Sequence, residues 1–123
     1  MFRGLYAITD SGLAQDTALE SRVLAALRGG ARVIQYRDKG PDRARRTAEA
    51  TALQLLCAGF DVPLIVNDDI ELAATVGAAG VHLGRDDPAI GRTRRRLGEH
   101  AVIGVSCYND YPLAEAAVVA GAD

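Results

Sequence analysis

Residues 29–40 read GGARVIQYRDKG, and this stretch decides the fold. The two glycines end whatever precedes them. The run from Ala31 to Arg37 then sets β-branched and aromatic residues on both parities, which is the texture of a strand covered on both faces. It breaks into Asp38, Lys39 and Gly40, so the strand leaves through a polar loop. A doubly covered strand entered from one helical stretch and left toward another is the βα unit of a parallel sheet.

The same texture recurs on either side. Upstream lies Leu5 to Thr9 (LYAIT), followed by an alanine-rich amphipathic stretch from about Thr17 to Arg28, with Leu19, Val23 and Leu27 at helical spacing. Asp16 and Thr17 are candidates for its cap. Downstream, Pro41 to Cys57 predicts a second helix, with Pro41 near its first position and Asp42 in the first turn. Further strands are predicted at Pro63 to Asn67 (PLIVN), Val81 to Leu83 and Val102 to Ser106 (VIGVS). Further helices are predicted at Ile70 to Val76, Pro88 to Leu97 and Pro112 to Ala120.

Five βα units in succession, joined by right-handed crossovers, predict an α/β domain with parallel strands. Two architectures fit: a doubly wound five-stranded sheet, as in receiver domains, and the N-terminal five units of a (β/α)₈ barrel. The closing Gly121-Ala122-Asp123 repeats the small-residue lead-in that precedes strands in GGARVIQ and AAGVHLG. The chain therefore reads as a single domain over residues 1–123 that stops in mid-pattern, short of a sixth strand, with both architectures still open.

Composition narrows the function classes. The 123 residues are 49% hydrophobic and 24% charged with a net charge of −2, which excludes a disordered chain and argues against a nucleic-acid or membrane-surface protein. No apolar run reaches the length of a membrane span. There is no signal-peptide pattern, and Cys57 and Cys107 match no CxxC motif, so the expectation is a cytoplasmic protein with free thiols. Of the fourteen basic residues only Lys39 is lysine. The run Arg92 to Arg96 (RTRRR) reads as a solvated helix face.

Ligands of parallel α/β folds sit at the carboxyl ends of the strands. Here those ends carry Gln35, Arg37 and Lys39, then Asn67-Asp68-Asp69, then His82 and Asp86-Asp87, then Ser106. Strand alternation would place Gln35, Arg37 and Lys39 on one face and Ile34 and Tyr36 on the other. An arginine fork and a lysine point charge suit a phosphate or diphosphate. The alternative is that Arg37 and Lys39 are loop charges paired with Asp38 or Asp42. Carboxylates from two strand ends can hold Mg²⁺, while helix capping accounts for some of the four aspartates. Ser106 can donate to a phosphate oxygen. His82 reads as a core histidine and Cys107 as structural. No nucleophile motif is present.

The motifs YAITD, GGARVIQYRDKG, LIVNDDIELA, GAAGVHLGRDD and IGVSCYND, in this order, closely resemble the thiamine-phosphate synthase (thiamine-phosphate diphosphorylase) family. The resemblance implies a (β/α)₈ barrel, of which residues 1–123 form a single, truncated barrel domain carrying the first five βα units. It also implies a Mg²⁺-dependent transferase that joins hydroxymethylpyrimidine diphosphate to thiazole phosphate and releases diphosphate. Residue by residue, it implies that Gln35 contacts the pyrimidine and that Arg37, Lys39, Asn67 and Ser106 hold the diphosphate. Asp68 and Asp87 are then the Mg²⁺ ligands. The implied route is dissociative: diphosphate leaves, a pyrimidine methylene cation forms, and the thiazole nitrogen attacks without a protein nucleophile. The family's later diphosphate lysine and thiazole-phosphate turns have no counterpart in these residues, so the expectation is the diphosphate–Mg²⁺ half, inefficient by itself, with sheet edges open to self-association. A thiazole tautomerase-like relative, a receiver module and a non-enzymatic half-barrel remnant are the competing readings. The acid pair after strand one and the lysine after strand five that a receiver needs are missing.

Overall fold

The computed structural model describes residues 3–12, 18–85 and 89–123. Strands and helices alternate as β1 (Leu5–Ile8), α1 (Leu19–Arg28), β2 (Ala31–Tyr36), α2 (Arg43–Ala58), β3 (Leu64–Asn67), α3 (Ile70–Val76), β4 (Gly80–Leu83), α4 (Ile90–Leu97), β5 (Val102–Val105) and α5 (Tyr111–Val119). Every neighbouring pair is parallel, and the spatial order is β1-β2-β3-β4-β5.

That order separates the two architectures left open by the sequence. A doubly wound sheet reverses direction at a switch point and so carries helices on both faces. Right-handed crossovers that always step to the next strand on the same side place every helix on one face. Here α1 packs on α2, α2 on α3 and α3 on α4 as one continuous layer. The fold is the succession of five βα units found in a TIM-type barrel, and the doubly wound alternative is excluded.

The core lies between sheet and helices. Ile34, Tyr36, Leu64, Val66, Val81, Leu83 and Ile103 of one strand parity pack against Val23, Leu27, Leu53, Cys57, Leu72 and Ala73 of the helices. Both cysteines are free, and burial pushes the Cys57 thiol up to about 11, which leaves it unreactive at neutral pH. The opposite parity carries Tyr6, Ile8, Val33, Gln35, Ile65, Asn67, Gly80, His82 and Gly104. Val33 and Ile65 are buried there too, while Tyr6 and Ile8 on the edge strand are exposed.

Helix ends depart from the sequence reading in small ways. Asp42 is the N-cap of α2 and not a first-turn residue; its carboxylate accepts from the Arg45 backbone N–H at 2.9 Å. Asp69 and Asp110 cap α3 and α5 in the same way, accepting from Leu72 and Leu113. Each such cap contributes about 1 kcal/mol. The expected cap of α1 at Asp16 or Thr17, and the expected start of α4 at Pro88, lie outside the described residues. The Arg92–Arg96 run is not one solvated face: Arg92 and Arg95 are exposed, but Arg94 turns inward. At the outer edge of β5, Asp123 donates its N–H to the Ile103 carbonyl at 3.0 Å, and its carboxylate accepts from the Ile103 N–H at 2.9 Å. Among the described residues no helix is long and apolar enough to cross a membrane.

Candidate functional site

Strand register builds a polar pocket at the carboxyl ends. Ile8 pairs with Gln35, Asn67 with His82, and His82 with Gly104, so side chains of one parity converge. Tyr6, Ile8, Gln35, Arg37, Asn67, His82 and Ser106 line a cavity of about 410 Å³. Gln35 is only 3% exposed, and its amide nitrogen donates to the Tyr6 hydroxyl at 2.9 Å. Burial raises the Tyr6 phenol above its ordinary range, with the Gln35 bond opposing. His82 Nε2 lies 2.8 Å from Ser106 Oγ.

Gly104 makes room for that contact. A Cβ at residue 104 would stand 2.6 Å from His82 Nδ1, well inside contact distance. The obstacle is a side chain and not backbone, so the ring can yield. Gly104→Ala is expected to keep the fold but turn His82 away from Ser106. The chain has two histidines, His82 and His100, so imidazole NMR reads this directly. The His82 signals should move while those of His100 stay; unmoved His82 signals would mean that the glycine does not set the ring.

A second cleft opens beside the first, outside the strand ends. It measures about 650 Å³ and is walled by Lys39, Asn67 and Asp68 with the first turn of α3 and arginines of α2 and α4. Lys39 Nζ lies 3.3 Å from Asp68 Oδ2, with the lysine side chain 65% exposed. Asp68 adopts φ 61°, the left-handed region, which costs about 1–2 kcal/mol for a residue with a Cβ. Its neighbours hold it there. The Asp68 N–H donates to the His82 carbonyl at 2.9 Å, and Asp69 is fixed both as the α3 cap and by Arg46 Nη2 at 3.0 Å. Asp69 is therefore explained by capping.

The structure thus divides the sequence-predicted residues between two compartments. Gln35, Arg37, Asn67 and Ser106 meet in the inner pocket; Lys39 and Asp68 meet in the cleft; Asn67 lines both. Lys39 does not join Gln35 and Arg37 on one strand face, because β2 ends at Tyr36 and alternation stops there. Nor is it a loop charge on Asp38 or Asp42: Asp38 pairs with Arg45, and Asp42 caps α2. Asp86 and Asp87 lie outside the described residues. Tyr6 is a pocket residue that the sequence reading passed over, and His82, named at its strand end, was read as core. The available signal for Tyr6 was alternation: it shares parity with Ile8, which pairs with Gln35.

The donor set bears on Mg²⁺. Among the described residues no three or more His, Cys, Asp or Glu side chains gather as a metal cage. Asp68 instead offers one carboxylate to an open cleft next to an amide and an ammonium. Mg²⁺ is commonly held by one or two carboxylates together with substrate phosphate oxygens and waters. Asp68 fits that shared mode and not an all-protein site.

Comparison with known proteins bears on the fold and the family. The model of the family described as thiamine monophosphate synthase matches residues 5–123. A thiamine-phosphate synthase of Marinobacter nauticus is 58% identical over 98% of this chain and 54% of its own length. That of Chromobacterium violaceum is 56% identical over 97% of this chain and 57% of its own. A solved thiamine phosphate pyrophosphorylase from Pyrococcus furiosus superposes with a TM-score of 0.86 at 31% identity, over 96% of this chain and 56% of that one. The chain spans about half the length of the curated relatives it matches. With a family match across the barrel units and a common architecture, the chain belongs to the thiamine monophosphate synthase family.

Proposed function

We propose that this chain supplies the pyrimidine-diphosphate side of a thiamine-phosphate synthase, which joins hydroxymethylpyrimidine diphosphate to thiazole phosphate with release of diphosphate. The observation that carries this reading is the pair of unlike compartments sharing Asn67 as a wall. A heterocycle bearing a phosphate chain needs such neighbours: a hydrogen-bonding amide for the ring, and donors continuing from Arg37 and Ser106 of the inner pocket to Lys39, beside Asp68, in the cleft for the anion.

In this reading Gln35 hydrogen-bonds the pyrimidine, held in place by Tyr6. Arg37, Lys39, Asn67 and Ser106 take diphosphate oxygens, so charge developing on the leaving group meets donors already in position. Asp68 and Asp87 hold Mg²⁺, which when bound neutralises part of the diphosphate charge. No protein nucleophile takes part. A cytoplasmic location and small-molecule substrates follow from the same reading. Self-association through sheet edges is favoured at β1, where Leu5, Tyr6 and Ile8 are exposed, over β5, where Asp123 already takes the Ile103 N–H.

Calorimetric titration with inorganic diphosphate, with and without Mg²⁺, tests the reading. Binding is expected to need Mg²⁺. Asp68→Asn and Asp87→Asn should each weaken it by about tenfold or more, as loss of a charged ligand does, while Asp86→Asn changes it by less than about twofold. Binding indifferent to Mg²⁺ and to Asp68 would favour a tautomerase-like relative, and no binding at all a remnant; either overturns the proposal.

A further inference from the structure

Asp38 has no place in the chemistry above, yet among the described residues it is the most deeply buried charge near the site, with a side chain 2% exposed. It sits between Arg37 and Lys39, the two cations assigned to diphosphate. Its Oδ1 accepts the Gly40 N–H at 2.6 Å, closing a tight turn around Lys39. Its Oδ2 accepts from Arg45 Nη1 at 2.6 Å. The Arg45 guanidinium holds the Asp38 carboxyl below its ordinary range, against the cost of burial.

The network extends into α2. Arg45 Nη1 also reaches Glu49 Oε1 at 3.0 Å, and Glu49 Oε2 accepts from the buried Tyr36 hydroxyl at 2.6 Å. Burial and the neighbouring Glu49 raise the Tyr36 phenol, keeping it a donor. Gly40 leaves room for the same arrangement: a Cβ there would stand 2.9 Å from both Asp38 Oδ1 and the Arg45 guanidinium and would push one of them aside. On the other side, the Arg37 N–H donates to Thr9 Oγ1 at 2.9 Å. The loop is thus pinned to β1 on one flank and to α2 on the other.

We infer that Asp38 and Arg45 are positioning residues, which hold the Arg37–Lys39 loop so that Lys39 stands over Asp68 at the diphosphate cleft; this rests on the reading of that cleft given above. Electrostatics sets the order of effects. Without Arg45, Asp38 becomes an unpaired buried carboxylate one residue from Lys39, able to draw the ammonium away from the cleft and to repel an anion. Without the Asp38 charge, Arg45 keeps Glu49 as partner and the loop loses only one tie. Arg45→Met is therefore worse for anion binding than Asp38→Asn, and the double variant recovers part of the loss because the stranded carboxylate is gone.

The single lysine makes the test direct. In the full chain labelled with ¹³Cε-lysine, Lys39 gives the one lysine resonance. Wild type, Asp38→Asn, Arg45→Met and the double variant are compared by that resonance without ligand, and by titration with inorganic diphosphate and Mg²⁺. The expectation is a Lys39 resonance shifted most in Arg45→Met. Affinity should fall by about tenfold in Asp38→Asn and further in Arg45→Met, with partial recovery in the double variant. A purely structural role would lower melting temperatures and affinities in parallel without that recovery, and would overturn the inference. So would a Lys39 resonance and affinities unmoved in all variants. If wild type binds no diphosphate, the functional reading falls, and the Lys39 resonance alone decides: moved by the substitutions, positioning stands; unmoved, it falls too.

Discussion

Gly80→Ala is expected to cost about 3 kcal/mol or more of folding stability. Gly80 opens β4 and is paired with Val102 of β5. A Cβ there would lie 1.8 Å from the Val102 carbonyl oxygen and 2.6 Å from its carbonyl carbon. The obstacle is backbone of the neighbouring strand, so no rotamer change relieves it. Either the β4–β5 ladder parts at this pair or both strands shift, and the core residues Val81 and Ile103, both 0% exposed, shift with them. Gly91→Ala is the control. Gly91 lies in the first turn of α4, and among the described residues outside its own helix backbone its added Cβ would meet only the Arg95 guanidinium at 3.8 Å. There the gain in helix propensity stabilises by about 0.5 kcal/mol. Urea denaturation of the two variants should show opposite signs; a Gly80→Ala protein as stable as wild type would contradict the close approach of β4 and β5.

The fold was legible because its determinants are local. Runs such as ARVIQYR and PLIVN carry apolar side chains at both parities, and that alone marks strands buried on both faces. Gly29 and Gly59 stand at the ends of the helices that precede β2 and β3. The choice between a doubly wound sheet and barrel units was not legible from periodicity, since both share the βα texture; it depends on which way each crossover steps. The error at the start of α2 has a local cause. Asp42 lies in extended backbone just ahead of its helix, and a residue count cannot tell a cap from a first-turn acid; Asp69, read as preceding a helix, does cap α3.

The candidate site was legible as a list and not as an arrangement. Residue types at strand ends identified Gln35, Arg37, Lys39, Asn67, Asp68 and Ser106. Their division into two compartments depends on where β2 stops, one residue before Arg37, and on the left-handed turn at Asp68. His82 was read as core because one strand histidine carries little information by itself. Its partner Ser106 is 24 residues away and becomes adjacent only through the β4–β5 register. Asp38 looked like a loop charge. Its burial follows from Arg45, seven residues on, which the turn into α2 brings back over it.

The RTRRR run shows the same limit in the opposite direction, and it supplies the second large effect. Arg94→Met is expected to destabilise by about 3 kcal/mol, and Arg95→Met by less than about 0.5 kcal/mol. The Arg94 side chain is 19% exposed. Its Nη1 donates to the carbonyls of Glu99 at 2.7 Å and Ala101 at 2.9 Å, and its Nη2 to the Gly121 carbonyl at 2.8 Å and the Asp123 carboxylate at 3.0 Å. One planar guanidinium thereby joins α4, the turn into β5 and the end of α5. Methionine keeps the stem packed but leaves these acceptors without their donor; a bond to a charged group contributes about 1.5–3 kcal/mol net, and the four losses do not add in full because the exposed acceptors regain water. Arg94→Lys should fall between the two, since an ammonium brings charge without the fork that spans four acceptors. The loss has a location as well as a size. The Asp123 carboxylate that Arg94 holds also accepts from the Ile103 N–H, so amide exchange at Ile103 and Asp123 should quicken before that of β2 or β3. Uniform exchange across the sheet, or equal stability of the Arg94 and Arg95 variants, would mean that the run is the solvated face its composition suggests.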